Sequence, residues 1–180
     1  MNHLFSKFVI VYSIQPDSII LKSDLIVMTN EIDSSTIQHI VVPFDDSGYS
    51  IRALQYAVML ARKFNSKITL LAIQQSTILG SSFLDMKDPQ TILEKKKLDK
   101  LQERFKTLEN SGKKSKILIE SMVMFSSHIA QAILSFSTSK KTDLIVMGTR
   151  GKGSTPSYAR LGSVAIDVSQ VSQNPVILIK

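Results

Sequence analysis

The stretch that most restricts how this chain can fold runs from Asp143 to Ser163. An apolar run, Leu144 to Met147, stops at Gly148; Gly151 and Gly153 follow in a polar loop, and Gly162-Ser163 opens a segment with helical spacing of apolar residues. A strand, a glycine loop and a helix start in succession form an anion site. Glycine lets the backbone come close to a phosphate, and the free N–H groups of a helix start point at it. The pattern predicts a phosphorylated ligand, a nucleotide first of all.

From residue 39 onward, short apolar runs alternate with helical stripes. His39–Phe44 reads as a buried strand, and Asp45-Asp-Ser-Gly48 as a turn with N-caps for a helix that buries Ile51, Leu54, Val58 and Ala61. Lys67–Ile73 is a second strand. A polar loop over 74–90 leads to a lysine-rich helix with a stop at Ser111-Gly112. Ser115–Glu120 reads as a third strand, a helix capped by Ser126 or Ser127 follows, and Asp143–Met147 is the fourth strand. Leu161, Val164, Val168 and Val171 mark a last helix, and Val176–Ile179 a final strand. Such alternation implies βαβ units, here a five-stranded parallel sheet with helices on both faces. In that architecture ligands bind beyond the carboxyl ends of strands, where the strand order reverses. Asp45 and Gly148 each lie just past a strand end, so they are expected to meet in one crevice.

Residues 1–37 stand apart as an N-terminal extension to a domain over 38–180. Phe8–Tyr12 and Leu25–Met28 are β-like. They fit an added hairpin, a short signal-like stretch without a cleavage site, or untranslated sequence upstream of a start at Met28. The net charge is +7, and nine Lys/Arg against four acids fall in residues 94–116, around Leu98, Leu101, Phe105 and Leu108 at helical spacing. This stretch reads as an amphipathic helix with a solvated lysine face. No aromatic stacking platform accompanies it, so nucleic acid is not the expected partner. The chain has no cysteine, which excludes disulfides and thiolate metal sites and fits a cytoplasmic protein. No apolar run approaches the roughly 20 residues that span a bilayer.

The residues at both ends of the predicted domain resemble the universal stress protein family. The resemblance rests on Ile40-Val-Val-Pro-Phe-Asp45 before a helix, on Leu144-Ile-Val-Met-Gly148-Thr-Arg-Gly151 with Gly162-Ser163-Val164, and on Asn174-Pro-Val-Ile-Leu-Ile-Lys180. It implies a Rossmann-like fold, similar to that of the adenine nucleotide α hydrolases, and the ATP-binding branch of the family. That branch places nine residues between its second and third glycines. Here ten, Lys152 to Leu161, separate Gly151 from Gly162. Carried over residue by residue, the resemblance puts Asp45, flanked by Pro43 and Phe44, and Ile73 at the adenosine end. Met147 and Gly148 would line the ribose side. The Arg150-Gly151 backbone and the Gly162-Ser163-Val164 amides would hold phosphates. ATP is the implied ligand, with Mg2+ or Mn2+ as a common companion, and a homodimer through an exposed edge strand 176–179 is implied as well.

His3, His39 and His128 form no ligand spacing, and no nucleophile elbow, P-loop or dinucleotide fingerprint is present. The expected function is therefore a stress-response binding module, with at most slow ATP hydrolysis. A nucleotide-free dimeric interaction protein and a weak ATPase are the alternatives on the same scaffold.

Overall fold

Period-2 burial explains the sheet. In the computed structural model, which describes residues 9–12, 37–75, 89–153 and 161–180, Ile40, Val42 and Phe44 face one core and Val41 faces the other. The same alternation sends Leu144 and Val146 to the first core, and Ile145 and Met147 to the second. Two apolar faces require two covering layers, and helices supply them. The elements run β1 (Val9–Tyr12), β2 (His39–Pro43), α1 (Gly48–Phe64), β3 (Lys67–Gln74), α2 (Pro89–Lys114), β4 (Ile119–Phe125), α3 (Ile129–Ser139), β5 (Leu144–Gly148), α4 (Ser163–Val171) and β6 (Val176–Ile179). Helices α1 and α2 bury Ala53, Leu54, Ala57, Ala61 and Phe105 against one face; α3 and α4 bury Ile133, Phe136, Ala165 and Val168 against the other.

All pairings are parallel, in the order β1-β6-β5-β2-β3-β4. The expected five-stranded parallel sheet is present as β2 to β6. Chain direction across the sheet reverses between β2 and β5, because β2 continues to β3 on one side while β5 and β6 extend the other. At that reversal the two strands stay paired only at Ile40↔Leu144 and Val41↔Ile145, whereas β2 and β3 pair over five residues. The strands are pinned at their amino ends: an Asp143 carboxylate oxygen accepts the backbone N–H groups of Gln38 and His39, each at 2.9 Å. Toward their carboxyl ends they part, and the gap is the crevice expected at such a switch point. His39 has a structural role. It is buried, with Nδ1 3.3 Å from the Lys140 carbonyl and Nε2 2.8 Å from the Thr69 hydroxyl. A carbonyl can only accept, so Nδ1 carries the proton.

Helix α1 starts where Ser47 accepts the Ser50 N–H and ends at Asn65 in the left-handed region. Several expectations are corrected. The third strand begins at Ile119 and not at Ser115, because a left-handed Lys116 (φ 57°) turns the chain first. Gly112 does not stop α2; the helix runs on to Lys114. A Cβ at Gly112 would lie 2.7 Å from Ile119 Cγ1, so glycine there lets α2 press onto β4. The strand 176–179 is not an edge. Val9–Tyr12 pairs with it, Val9↔Val176 through Tyr12↔Ile179, as a sixth parallel strand. Leu25–Met28 lies outside the described residues.

Because β1 occupies the side of β6 that another strand would use, deleting residues 1–36 uncovers its backbone N–H and C=O groups. The shortened chain should self-associate more strongly than the full chain at equal concentration, measured as weight-average mass by light scattering. Equal association of the two would exclude edge protection by β1.

Candidate functional site

The crevice between β2 and β5 opens into a cavity of about 1040 Å³, at the top of the range of roughly 300–1,000 Å³ typical of small-molecule sites. All eleven residues expected at the site line it: Pro43, Phe44 and Asp45 after β2, Ile73 on β3, Met147, Gly148, Arg150 and Gly151 at the end of β5, and Gly162, Ser163 and Val164 at the start of α4. The two distant chain segments therefore converge. The ten-residue spacing leaves α4 in place, since the Gly162 N–H donates to the Thr149 carbonyl at 2.8 Å. Pro156 lies outside the described residues.

The cavity has two chemically distinct ends. One is apolar, formed by Leu71 and Ile73 of β3, Ile129 and Ile133 of α3, and Met147. The other is formed by the glycine loop and the first turn of α4. Gly162 is the N-cap of α4 and has no side chain to cap it, so first-turn N–H groups await an acceptor from outside the helix.

Asp45 ties the two strand ends together. Its Oδ1 accepts the Ser47 N–H at 3.1 Å, and its Oδ2 accepts the Lys152 N–H at 2.8 Å, across the crevice. Burial alone would raise its pKa; hydrogen bonds from the Ser47 hydroxyl and from the Lys152 and Ser47 amides outweigh that and hold the carboxyl below its ordinary value. The helix cap is Ser47, so Asp45 is committed to the loop. The glycines fit this arrangement. A Cβ at Gly151 would sit 2.7 Å from Asp45 Oδ2, and one at Gly148 would sit 2.6 Å from Tyr49 Cβ in the first turn of α1. Gly148 is thus required by helix packing, a reason the sequence pattern did not contain.

Several cavity residues were missed by sequence reasoning. Lys97, Lys100, Leu101 and Arg104 form a further wall of the cavity. They fall at i, i+3, i+4 and i+7 on α2, one stripe of the helix. The lysine face is therefore in part a cavity wall and not only a solvated surface. Asp46, held at φ 59°, joins that wall to the loop: its Oδ1 lies 3.2 Å from Arg104 Nε and its Oδ2 lies 3.9 Å from Lys152 Nζ. The signal was present as helical spacing, but only the fold reveals what faces it. Among the described residues no group of three His, Cys, Asp or Glu is placed to hold a metal, and no helix is long and apolar enough to cross a membrane.

Two substitutions test this construction. Gly148→Ala should destabilise the fold by about 1–3 kcal/mol through overpacking against Tyr49, seen as a melting temperature several degrees lower; an unchanged melt would refute the contact. The lowered Asp45 pKa adds stability that is complete above the ordinary carboxyl value and is lost as pH falls through the depressed one. Asp45→Asn should therefore lower stability at neutral pH and flatten the acid side of the stability curve below pH about 4. Parallel acid limbs for the two proteins would exclude the linkage.

Comparison with known proteins agrees with this fold. Residues 36–180 match the model of the universal stress protein family. The chain is 28% identical over 144 residues to the universal stress protein YxiE of Bacillus subtilis, covering 78% of this chain and 97% of that protein. In structure it is similar to the universal stress protein UspA from Lactobacillus plantarum, with a TM-score of 0.70 and 21% identity, covering 81% of this chain and 99% of that one. It is also similar to a universal stress protein from Archaeoglobus fulgidus in complex with dAMP, with a TM-score of 0.54 and 21% identity, covering 80% and 98%. At these identities the structural likeness is one of fold. With the family match spanning nearly the whole described sheet, the chain belongs to the universal stress protein family.

Proposed function

We propose that this protein is a cytoplasmic, stress-response binding module whose ligand is an adenine nucleotide, ATP in the first place. One observation carries the reading: at the switch point a single cavity joins an apolar slot to a glycine loop and a helix start without a side-chain cap. A nucleotide has the matching halves, a flat base and an anionic tail. The dAMP complex of the Archaeoglobus fulgidus relative supports the same ligand class.

In this reading the base lies against Ile73 and its apolar neighbours, and the ribose passes Met147 and Gly148. Asp45 has acceptor capacity left for a ribose hydroxyl beyond its two amide bonds. The Gly151 backbone and the Gly162, Ser163 and Val164 amides take the phosphates. Mg2+ or Mn2+ would arrive with the triphosphate, since the described carboxylates do not make a cage of their own. Among the described residues no side chain is poised as a general base, so hydrolysis is at most slow in this reading. A homodimer through Val176–Ile179 belongs to the same reading, with the condition that β1 leaves β6 first.

Gly162 supplies the test. A Cβ there would meet Thr149 O at 3.4 Å and Arg150 Cα at 3.5 Å, close to ordinary contact, so the fold has little need of glycine at this position. A phosphate approaching the α4 amides does need it. The wild-type protein should bind ATP by titration calorimetry. Gly162→Ala should keep the melting temperature of the free protein within a few degrees and lose affinity at least about tenfold. Failure of wild-type protein to bind any adenine nucleotide would remove the proposal.

A further inference from the structure

Helix α2 is long for its task. Its 26 residues rise about 39 Å, whereas the seven of β4 span about 23 Å. Leu101, Phe105 and Leu108 pack on the sheet core, so the turns before Leu101 stand beyond the carboxyl ends of the strands and form a wall over the cavity. That wall carries Lys97, Lys100 and Arg104. Together with Arg150 and Lys152 on the loop they make, among the described residues, five cationic side chains around the cavity against two carboxylates, Asp45 and Asp46. Asp46 contacts both Arg104 and Lys152, which links the Arg104 end of the α2 stripe to the glycine loop.

We propose that the α2 stripe reads the length of the ligand's phosphate chain, with Lys97 and Lys100 as specificity-determining residues that favour nucleoside triphosphates over monophosphates. This rests on the nucleotide reading above and adds to it. The α4 amides can meet one or two phosphates wherever they lie, but they cannot reward charge that extends past them. Each further phosphate adds about one negative charge near neutral pH. In a cleft with one dominant sign of charge the field is concentrated, so that added charge is attracted strongly. Lysine suits the task, because its flexible stem and point charge follow a mobile phosphate chain and need no fixed fork geometry. Lys97 and Lys100 are both exposed on the stripe and line the same cavity as the loop.

The experiment compares the affinities of adenosine, AMP, ADP and ATP by calorimetry, at low and at moderate salt, for wild-type protein and for the double variant Lys97→Gln/Lys100→Gln. Wild type should bind more tightly with each added phosphate, and salt should weaken ATP most. In the double variant the ATP:AMP affinity ratio should fall about tenfold, as expected for two exposed charge contacts, and its salt dependence should shrink with it. An unperturbed melting curve of the free variant separates this effect from misfolding, since both residues are exposed. A ratio that stays at the wild-type value, or a wild type that binds AMP as well as ATP, would overturn the role of the stripe while leaving nucleotide binding intact. No binding of any of the four ligands to wild type would instead remove both proposals.

Discussion

The architecture depends on where two central strands stop pairing. β2 and β5 share only two register positions before they separate, and the molecule controls that separation at both ends. At the base, Asp143 takes two backbone N–H groups from the start of β2. At the mouth, Asp45 reaches from the end of β2 to the Lys152 amide of the loop after β5. Charge-assisted bonds to backbone amides are among the stronger hydrogen bonds available to a surface site. Two carboxylates thus bridge the gap at its two ends.

The glycines around the gap have separate physical reasons, and separating them sharpens the functional reading. Gly148 is set by the approach of α1, and Gly151 by the approach of the Asp45 carboxylate. Neither needs a ligand to account for it. Gly162 has no such neighbour within a prohibitive distance, and it stands at a helix start that its own lack of side chain leaves uncapped. A residue that serves the fold poorly and a bound anion well is the expected signature of a site. The weight of the nucleotide reading therefore sits on Gly162 more than on the glycines that first drew attention to the loop.

Much of this was legible in the sequence, for identifiable reasons. The convergence of Asp45 and Gly148 follows from each lying one step past an apolar strand in a βαβ chain, and parallel connectivity puts all such ends on one side. Burial of Ile40, Val41 and Val42 together, and of Leu144 to Met147, is the mark of a sheet covered on both faces. The missed features depend on non-local geometry. Val9–Tyr12 carries no local sign of its partner, because parallel pairing with the far end of the chain leaves no turn motif to read. Gly112 resembled a helix stop because glycine usually is one; its reason for being there is the side chain of Ile119. The lysine stripe was visible as a periodicity, but a period states which residues share a face and not what that face opposes.

Asp46 shows how such a wall can remain ready for a ligand. Its partners are accessible, with Arg104 and Lys152 side chains 40% and 63% exposed, and ion pairs of that kind are typically worth about 0–1 kcal/mol each. The carboxylate therefore orients two cations toward the loop without holding them tightly. A phosphate chain offers more acceptor oxygens and more charge than one carboxylate, and can draw either cation away at small cost. Asp46 combines a left-handed backbone with a carboxylate between the two cations, so their positive charge stays available to a phosphate. A stronger pair would have closed the wall against the loop and neutralised it; the absence of any pair would have left the Arg104 and Lys152 side chains to reorganise at each binding event.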